Sequence, residues 1–235
     1  MIFGAILAGG VGNRMKADKP KQFLPLGDRP ILIHTVEQFL RCKVLDELYI
    51  AVHREWLTYT EELLNTHLPD RSKTVRIVAG GDDRNSTLFA VVDAIEREYG
   101  EDEAHLLVTH DAVRPFVTPS MIERTVDLAA QYGAAEVAIA AVDTTVISTD
   151  GETITHTPDR RTVYQIQTPQ TFRMGELKRA FDSLSEDEKQ GLTDGASIFT
   201  AVGRPVHLTE GARFNIKITT PEDLVLAKAI LNSLS

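Results

Sequence analysis

Apolar and polar residues follow one another along this chain in blocks, and the block lengths predict its elements. Ile2 to Ala8 is an apolar run of strand length. After a polar stretch, Pro30 opens a helix with Leu32, Val36, Phe39 and Leu40 on one face. Leu48 to Val52 reads as a strand, residues 55–67 as a helix, and Val75 to Ala79 as the next strand. Leu88, Val91, Val92 and Ile95 recur at helical spacing, and Asn85 or Ser86 is the expected N-cap before them. Leu106 to Thr109 is another buried strand. Thr118 with Pro119, or Ser120 with Glu123, caps a helix that Gly133 closes, and Val137 to Ala141 is a strand again. Strands apolar throughout, alternating with helices, predict an α/β fold with a parallel sheet covered on both faces.

The pattern changes at Val142. Val146 to His156 alternates around Asp150-Gly151, a strong hairpin signal, and no helical pattern accompanies it. A lone two-stranded ribbon is marginal in water, so this arm, at about residues 142–165, is expected to pack on a second subunit. Beyond it, Leu192 to Ser197 reads as a polar turn and Asn215 to Thr219 as the last strand. Thr220 is expected to cap a closing helix with Pro221 at its first position and Leu224, Ala227 and Leu231 inward. No repeat, low-complexity tract or linker interrupts residues 1–235, which predicts one domain.

Candidate chemistry concentrates where the first strand ends. Ala8 runs into Gly9, Gly10 and Gly12, and then come Arg14, Lys16, Lys19 and Lys21. A strand that opens into a loop without side chains lets backbone N–H groups approach an anion. In a chain of net charge -9, that local cluster of cations asks for a polyanionic ligand. Glycines alone could merely turn strand into helix, but the basic turn Pro20-Lys21-Gln22 is not needed for a bend. Met15 stands where the dinucleotide fingerprint needs its third glycine, and no Gly-Lys-Ser/Thr tripeptide is present, so neither familiar phosphate loop applies. A second glycine pair, Gly80-Gly81, precedes the third helix. Asp111 follows a buried strand, where α/β sheets place ligand and metal contacts, although it could also serve a turn.

The acidic balance argues against nucleic acid or an anionic membrane as partner. The single cysteine, Cys42, excludes an internal disulfide and reads as core. With no apolar run of about 18 residues, the expected location is the cytoplasm.

Taken together, Leu7-Ala-Gly-Gly-x-Gly-x-Arg-Met, Pro20-Lys-Gln-Phe-Leu, Gly80-Gly-x-x-Arg84, His110-Asp-Ala-x-Arg-Pro, Gln167-Thr-Pro-Gln and Asn215-Ile-Lys-Ile-Thr-Thr-Pro-Glu-Asp-Leu resemble the cytidylyltransferases that act on sugar-alcohol phosphates. The resemblance runs from residue 2 to about residue 230. It implies a doubly wound, mostly parallel Rossmann-like sheet with a protruding β-arm that dimerises. It also implies that Leu7, Ala8, Gly9, Gly10 and Gly12 wrap CTP, with Arg14 and Lys21 on its phosphates. Gly81, Asp82 and Thr87 would hold the cytosine and nucleoside, Asp111 would bind Mg²⁺, and Lys217 would reach the α-phosphate. Arg114, Thr144, Arg160 and Thr168 match positions for the acceptor phosphate, with the arm reaching a neighbouring subunit's site. Seven histidines then need no catalytic role, and His110 is expected to be a structural hydrogen-bonder.

Two branches of that family differ in acceptor: D-ribitol 5-phosphate, for teichoic-acid synthesis, and 2-C-methyl-D-erythritol 4-phosphate, for isoprenoids. Val113, Phe116, Arg84-Asn85 with Thr87, Tyr164-Gln165 and Phe214 resemble the ribitol branch, whereas Asp194-Gly195-Ala196-Ser197 sits nearer its rival. The expected acceptor is ribitol phosphate. A nicotinamide oxidoreductase would share the fold but not the Pro20-Lys21 cluster, and a non-catalytic nucleotide sensor would not need Asp111, Lys21 and Lys217 together.

Overall fold

The computed structural model describes residues 1–10 and 19–234. The first strand, β1 (Ile2–Ala8), sits inside a seven-stranded sheet. Its side chains alternate, with Phe3 and Ala5 in one core and Ile6 and Ala8 in the other. A short ribbon, β2 (Pro25–Leu26) and β3 (Arg29–Pro30), leads into α1 (Ile31–Arg41), which Pro30 precedes in extended backbone. Then follow β4 (Glu47–Val52), α2 (Leu57–His67), β5 (Thr74–Ala79), α3 (Arg84–Tyr99) and β6 (Leu106–Asp111). Every residue of β4 and β6 is buried, as the continuous apolar runs predict for strands with helices on both faces.

The chain continues through α4 (Pro119–Tyr132), β7 (Ala134–Ala140), β8 (Tyr164–Arg173), α5 (Met174–Asp182), α6 (Glu186–Gln190), α7 (Gly195–Ala201), β9 (His207–Glu210) and α8 (Pro221–Leu234). The strand order is β5-β4-β1-β6-β8-β7-β9. All neighbours pair in parallel except β8, which runs antiparallel to both β6 and β7. One core packs α1, α2 and α4 against the sheet, and the other packs α3, α5 and α7. A third, smaller cluster seats α8 on Leu26, Ile31, Val113, Phe116 and Ile218. This is the doubly wound, mostly parallel architecture expected.

Chain order reverses about β1, since β4 and β5 lie on one side and β6 on the other. Such a switch point leaves a crevice at the carboxyl ends of the strands. The register aligns those ends: Leu7 faces Asp111, Ala8 faces Val52, and Val52 faces Ala79.

Several boundaries differ from the sequence reading. β6 runs on through His110 and Asp111, because both continue the ladder with Ile6 and Leu7 of β1. The N-cap of α3 is Asp83, one turn before Ser86. Its carboxylate accepts from Ser86 N–H at 2.7 Å, and Ser86 Oγ accepts from Asp83 N–H at 3.0 Å, so the serine completes a capping box. Thr118 caps α4 and Gly133 ends it at φ +94°, both as read.

Asn215 to Thr219 is not a strand; the last strand is β9. The segment crosses the end of the sheet instead, held by Ile218 N–H on Val113 O and by buried side-chain bonds from Asn215. The expected arm hairpin is reduced to one bridge, Ile147 with His156. Asp150 organises its tip by accepting from the N–H groups of Glu152 and Thr153, which replaces ladder bonds with turn bonds. Among the described residues no helix is long and apolar enough to cross a membrane.

Candidate active site

The crevice at the switch point holds a pocket of about 270 Å³. Leu7, Ala8, Gly9, Gly10, Lys21, Gly81, Asp82, Thr87, Asp111 and Lys217 line it. Ten of the sequence-selected residues, drawn from five separate stretches, therefore meet there. Gly12 and Arg14 lie outside the described residues.

The glycine loop is pinned by a residue that stands in a quoted motif but was given no role there. Gln22 is buried, and its Nε2 donates to Ala8 O at 2.7 Å and to Gly10 O at 3.3 Å. With those carbonyls tied back, the loop keeps its edge on the pocket. Gly10 has open space where a Cβ would lie, whereas a Cβ on Gly9 would come within 3.0 Å of Thr87 Oγ1. Pro20 starts a single 3₁₀ turn, Lys21–Phe23, and Phe23 packs its ring against Trp56 and Tyr59. Lys21 thus stands on a rigid base. Lys19 turns elsewhere, donating to Tyr59 Oη at 3.1 Å.

The second glycine pair meets the first strand's loop from the opposite wall. A Cβ on Gly81 would fall 2.3 Å from Ser86 Oγ, so the capping box itself demands glycine there. Thr87 is buried and its hydroxyl donates to Asp83 O at 2.7 Å, with Gly81 O at 3.3 Å. The hydroxyl therefore shapes the loop. The N-terminal amides of α3 point toward the crevice end of the sheet, a favourable place for negative charge.

Asp111 is the electrostatic centre. Its Oδ1 accepts from Arg84 Nη1, its Oδ2 from Lys217 Nζ at 2.9 Å, and Arg114 Nε lies 3.5 Å from Oδ2. Burial by itself would raise its pKa, but Arg84, Lys217 and Arg114 outweigh that and hold the carboxyl well below the usual range. Arg84, also on the pocket wall, belongs to a motif quoted from the sequence yet received no role there.

Behind Asp111 a chain of bonds fixes the strand end. Asp111 N–H donates to Thr168 Oγ1 at 3.1 Å, and Thr168 Oγ1 lies 2.9 Å from His110 Nδ1. His110 Nε2 is 3.0 Å from Arg114 O. A neutral ring satisfies all of these if Nε2 carries the proton, and burial pushes the His110 pKa down to about 4. His110 is a structural hydrogen-bonder, as expected. Thr168, selected as an acceptor contact, is buried with its hydroxyl engaged in this chain. Arg114 donates to Asn215 O at 2.9 Å and stands behind the pocket wall. Asn215 Nδ2 in turn donates to Thr168 O at 2.9 Å. That network anchors the segment carrying Lys217, which explains how a lysine on irregular backbone is presented to Asp111. Thr144 and Arg160 sit on the arm, away from the pocket lining, with Arg160 Nη1 on Val142 O at 2.9 Å.

A buried cluster lies on the far side of β8. Gln170 Nε2 donates to Glu136 Oε1 and, at 2.8 Å, to Asp194 Oδ2. Burial first, then the Asp194 charge, push the Glu136 pKa up to about 8, with the Gln170 bond opposing. Asp194 also N-caps α7, so the polar turn read at Leu192–Ser197 is a helix start.

A doubly wound sheet with a cation-ringed carboxylate and glycine loops at its switch point defines a nucleotide-binding α/β enzyme. The model of the family described as "IspD: 2-C-methyl-D-erythritol 4-phosphate cytidylyltransferase" matches residues 2–233. The chain belongs to this family of cytidylyltransferases, a class of nucleotidyltransferase. It is 43% identical over 232 residues, 98% of this chain and 99% of that protein, to a curated "Ribitol-5-phosphate cytidylyltransferase" of Streptococcus pneumoniae serotype 19F (strain G54). Among solved structures, it is similar to "4-diphosphocytidyl-2C-methyl-D-erythritolsynthase" from Anaerococcus prevotii DSM 20548, with TM-score 0.81, 28% identity and coverage of 98% and 96% of the two chains. It is also similar to the 2-C-methyl-D-erythritol 4-phosphate cytidylyltransferase of Francisella tularensis, with TM-score 0.78, 27% identity and coverage of 97% and 98%.

Proposed function

We propose that the protein transfers the cytidylyl group of CTP to D-ribitol 5-phosphate, giving CDP-ribitol and pyrophosphate. The observation that carries the acceptor is the 43% identity, over nearly the whole chain, to a protein named for ribitol 5-phosphate. An oxygen of the acceptor phosphate attacks the α-phosphorus of CTP. The bond from that phosphorus to the β-phosphate oxygen breaks, and its electron pair leaves with pyrophosphate. A phosphate monoester is already largely ionised near pH 7, so no general base is required. What the reaction needs is positioning and screening of charge between two anions.

The site supplies both. Lys21 on its rigid turn and Lys217 on its anchored segment would screen the phosphates, and the Gly9–Gly10 and Gly81 loops would hold the nucleoside. Asp111 suits Mg²⁺ in its donor chemistry. Among the described residues no three His, Cys, Asp or Glu side chains gather into a cage, and magnesium on a triphosphate needs only one or two carboxylates. When bound, that ion would neutralise developing charge on the triphosphate oxygens. Lys21→Ala and Lys217→Ala should each lower kcat by roughly 10²-fold with modest change in CTP affinity. A loss confined to nucleotide binding would make them anchors alone.

The acceptor is tested by comparing kcat/KM for ribitol 5-phosphate and 2-C-methyl-D-erythritol 4-phosphate at fixed CTP and Mg²⁺. Ribitol phosphate should win by at least about tenfold; the reverse preference overturns the assignment. Of the residues behind this expectation, Val113 lines the pocket, Phe116 is buried in the α8 cluster, and Tyr164 and Phe214 are exposed. Phe214 places no carboxylate beside the Lys217 segment, so an acceptor's hydroxyls meet one hydrogen-bond acceptor fewer there.

We also assign the arm, at about residues 142–165, to a homodimer contact that brings Thr144 and Arg160 to a neighbouring site. Supporting this, Val142, Val146, Ile147 and Ile154 on the arm, together with Tyr164 and Ile166 where β8 begins, are all exposed. The native chain should sediment as a dimer at micromolar concentration, and removal of the tip around Asp150-Gly151 should give monomers with suppressed activity. A native monomer refutes the arm contact.

A further inference from the structure

The three cations around Asp111 are not held alike. Arg114 has a second bond, to Asn215 O, and its side chain is only 12% exposed. Lys217 pairs through Nζ with Asp111 Oδ2 from a half-exposed side chain, and its backbone is fixed by its neighbours, with Ile218 N–H on Val113 O and Asn215 buried. Arg84 lines the pocket, and among the described residues Asp111 is the single partner of its guanidinium. Its backbone position adds to the contrast. Arg84 is the first residue of α3 after the Asp83 cap, and no acidic residue occupies the first turn. A helix N-terminus favours anions and disfavours a cation. A guanidinium placed there is poorly stabilised by its own helix and well placed for an anion arriving at the same amides. Meanwhile both Asp111 oxygens are covered, Oδ1 by Arg84 and Oδ2 by Lys217. A ligand that needs Oδ1 must first displace Arg84 from it.

We propose that Arg84 is a transferable phosphate clamp, parked on Asp111 in the free protein and moved onto the nucleotide triphosphate when it binds. The transfer exposes Oδ1 of Asp111 to the pocket in the same event. The planar fork of a guanidinium suits paired phosphate oxygens, and the exchange trades one charge-assisted hydrogen bond for others, with no charge left bare. The inference rests on the cytidylyl-transfer reading for the identity of the triphosphate, but its test needs no acceptor.

The test is calorimetric titration with CTP and, separately, with cytidine. Arg84→Gln should weaken CTP binding by about tenfold or more, the worth of hydrogen bonds to a charged group, and leave cytidine binding nearly unchanged. In EDTA, Asp111→Asn should tighten CTP binding because it releases the clamp. That gain should largely vanish in the Arg84→Gln background. Unchanged CTP affinity in Arg84→Gln, or equal weakening of CTP and cytidine, overturns the proposal, the latter by assigning Arg84 to loop structure. If Asp111→Asn does not fold, the comparison of CTP with cytidine in Arg84→Gln decides alone. Absence of pyrophosphate release by the unaltered protein with every alditol phosphate would refute the transferase reading and leave these affinities interpretable.

Discussion

Asp111→Asn is expected to lower turnover by roughly 10³-fold or more, above the ~10²–10³ that loss of a single preorganised donor costs. The amide keeps the shape of the carboxylate and removes its charge. On the proposed mechanism two functions go together: the hard oxygen that would hold Mg²⁺, and the anion that pairs with Arg84, Lys217 and Arg114. Excess EDTA on the unaltered protein should mimic the first loss, and circular dichroism should report an intact fold. Moderate acid should leave the second intact, because the three cations keep the carboxyl ionised well below the usual carboxylate range. Because the folded pKa of Asp111 is depressed, its stabilising contribution is present above the usual carboxylate range and is lost as pH falls through the folded value. Near-normal kcat in the asparagine variant would remove Asp111 from the mechanism altogether.

Glu136→Gln should do the opposite to stability. Glu136 is buried and its pKa stands near 8, against 4.5 for an ordinary glutamate. Between those values the folded protein binds a proton that the unfolded chain releases. Stability is therefore fully present below the lower value and falls as pH rises toward the upper one. At ~1.36 kcal/mol for each pH unit, the total reaches several kcal/mol as an upper bound. A glutamine offers an N–H where the protonated acid offers O–H and still accepts from Gln170. Thermal unfolding of the variant should thus be nearly flat between about pH 5 and 8.5, whereas the unaltered protein loses ground. At about 2–4 °C per kcal/mol for a chain of this size, the gap at high pH is easily measured. Parallel pH profiles for the two proteins would show that Glu136 is ionised in the fold.

Glu136 also marks where sequence reasoning stopped. On the sequence it is one polar residue between two apolar pairs, and nothing local says that Gln170 and Asp194 will close around it. Arg84 is a similar case. It was visible as part of a motif, but its pairing with Asp111 depends on β1 lying between β5 and β6. Asn215 to Thr219 misled for a related reason: alternation of apolar and polar residues is the strand signal, yet this segment has no neighbouring strand to pair with. Its Ile218 points into the α8 cluster and its Lys217 into the pocket, which reproduces the alternation without a ladder. The N-cap at Asp83 was obscured because the residue three positions on is serine where the usual box has glutamate or glutamine.

What the sequence by itself determined was local and periodic. Apolar runs of strand length, helical spacing such as Leu88-Val91-Val92-Ile95, the glycines at the ends of β1 and β5, and Asp111 at the end of β6 follow from short-range sterics and from which faces must leave water. Those features, read with the motifs they carry, singled out ten of the residues that line the pocket. The tertiary structure decided the rest: the antiparallel insertion of β8, the tie from Gln22 to the glycine loop, and the meeting of Arg84, Arg114 and Lys217 on one carboxylate. Arg114 and Asn215 are 101 positions apart, and their bond exists only because strand order and register bring them together. Burial then sets the strength of each charge, since the cost of an unpaired ion depends on the water that the assembled sheet and helices have excluded.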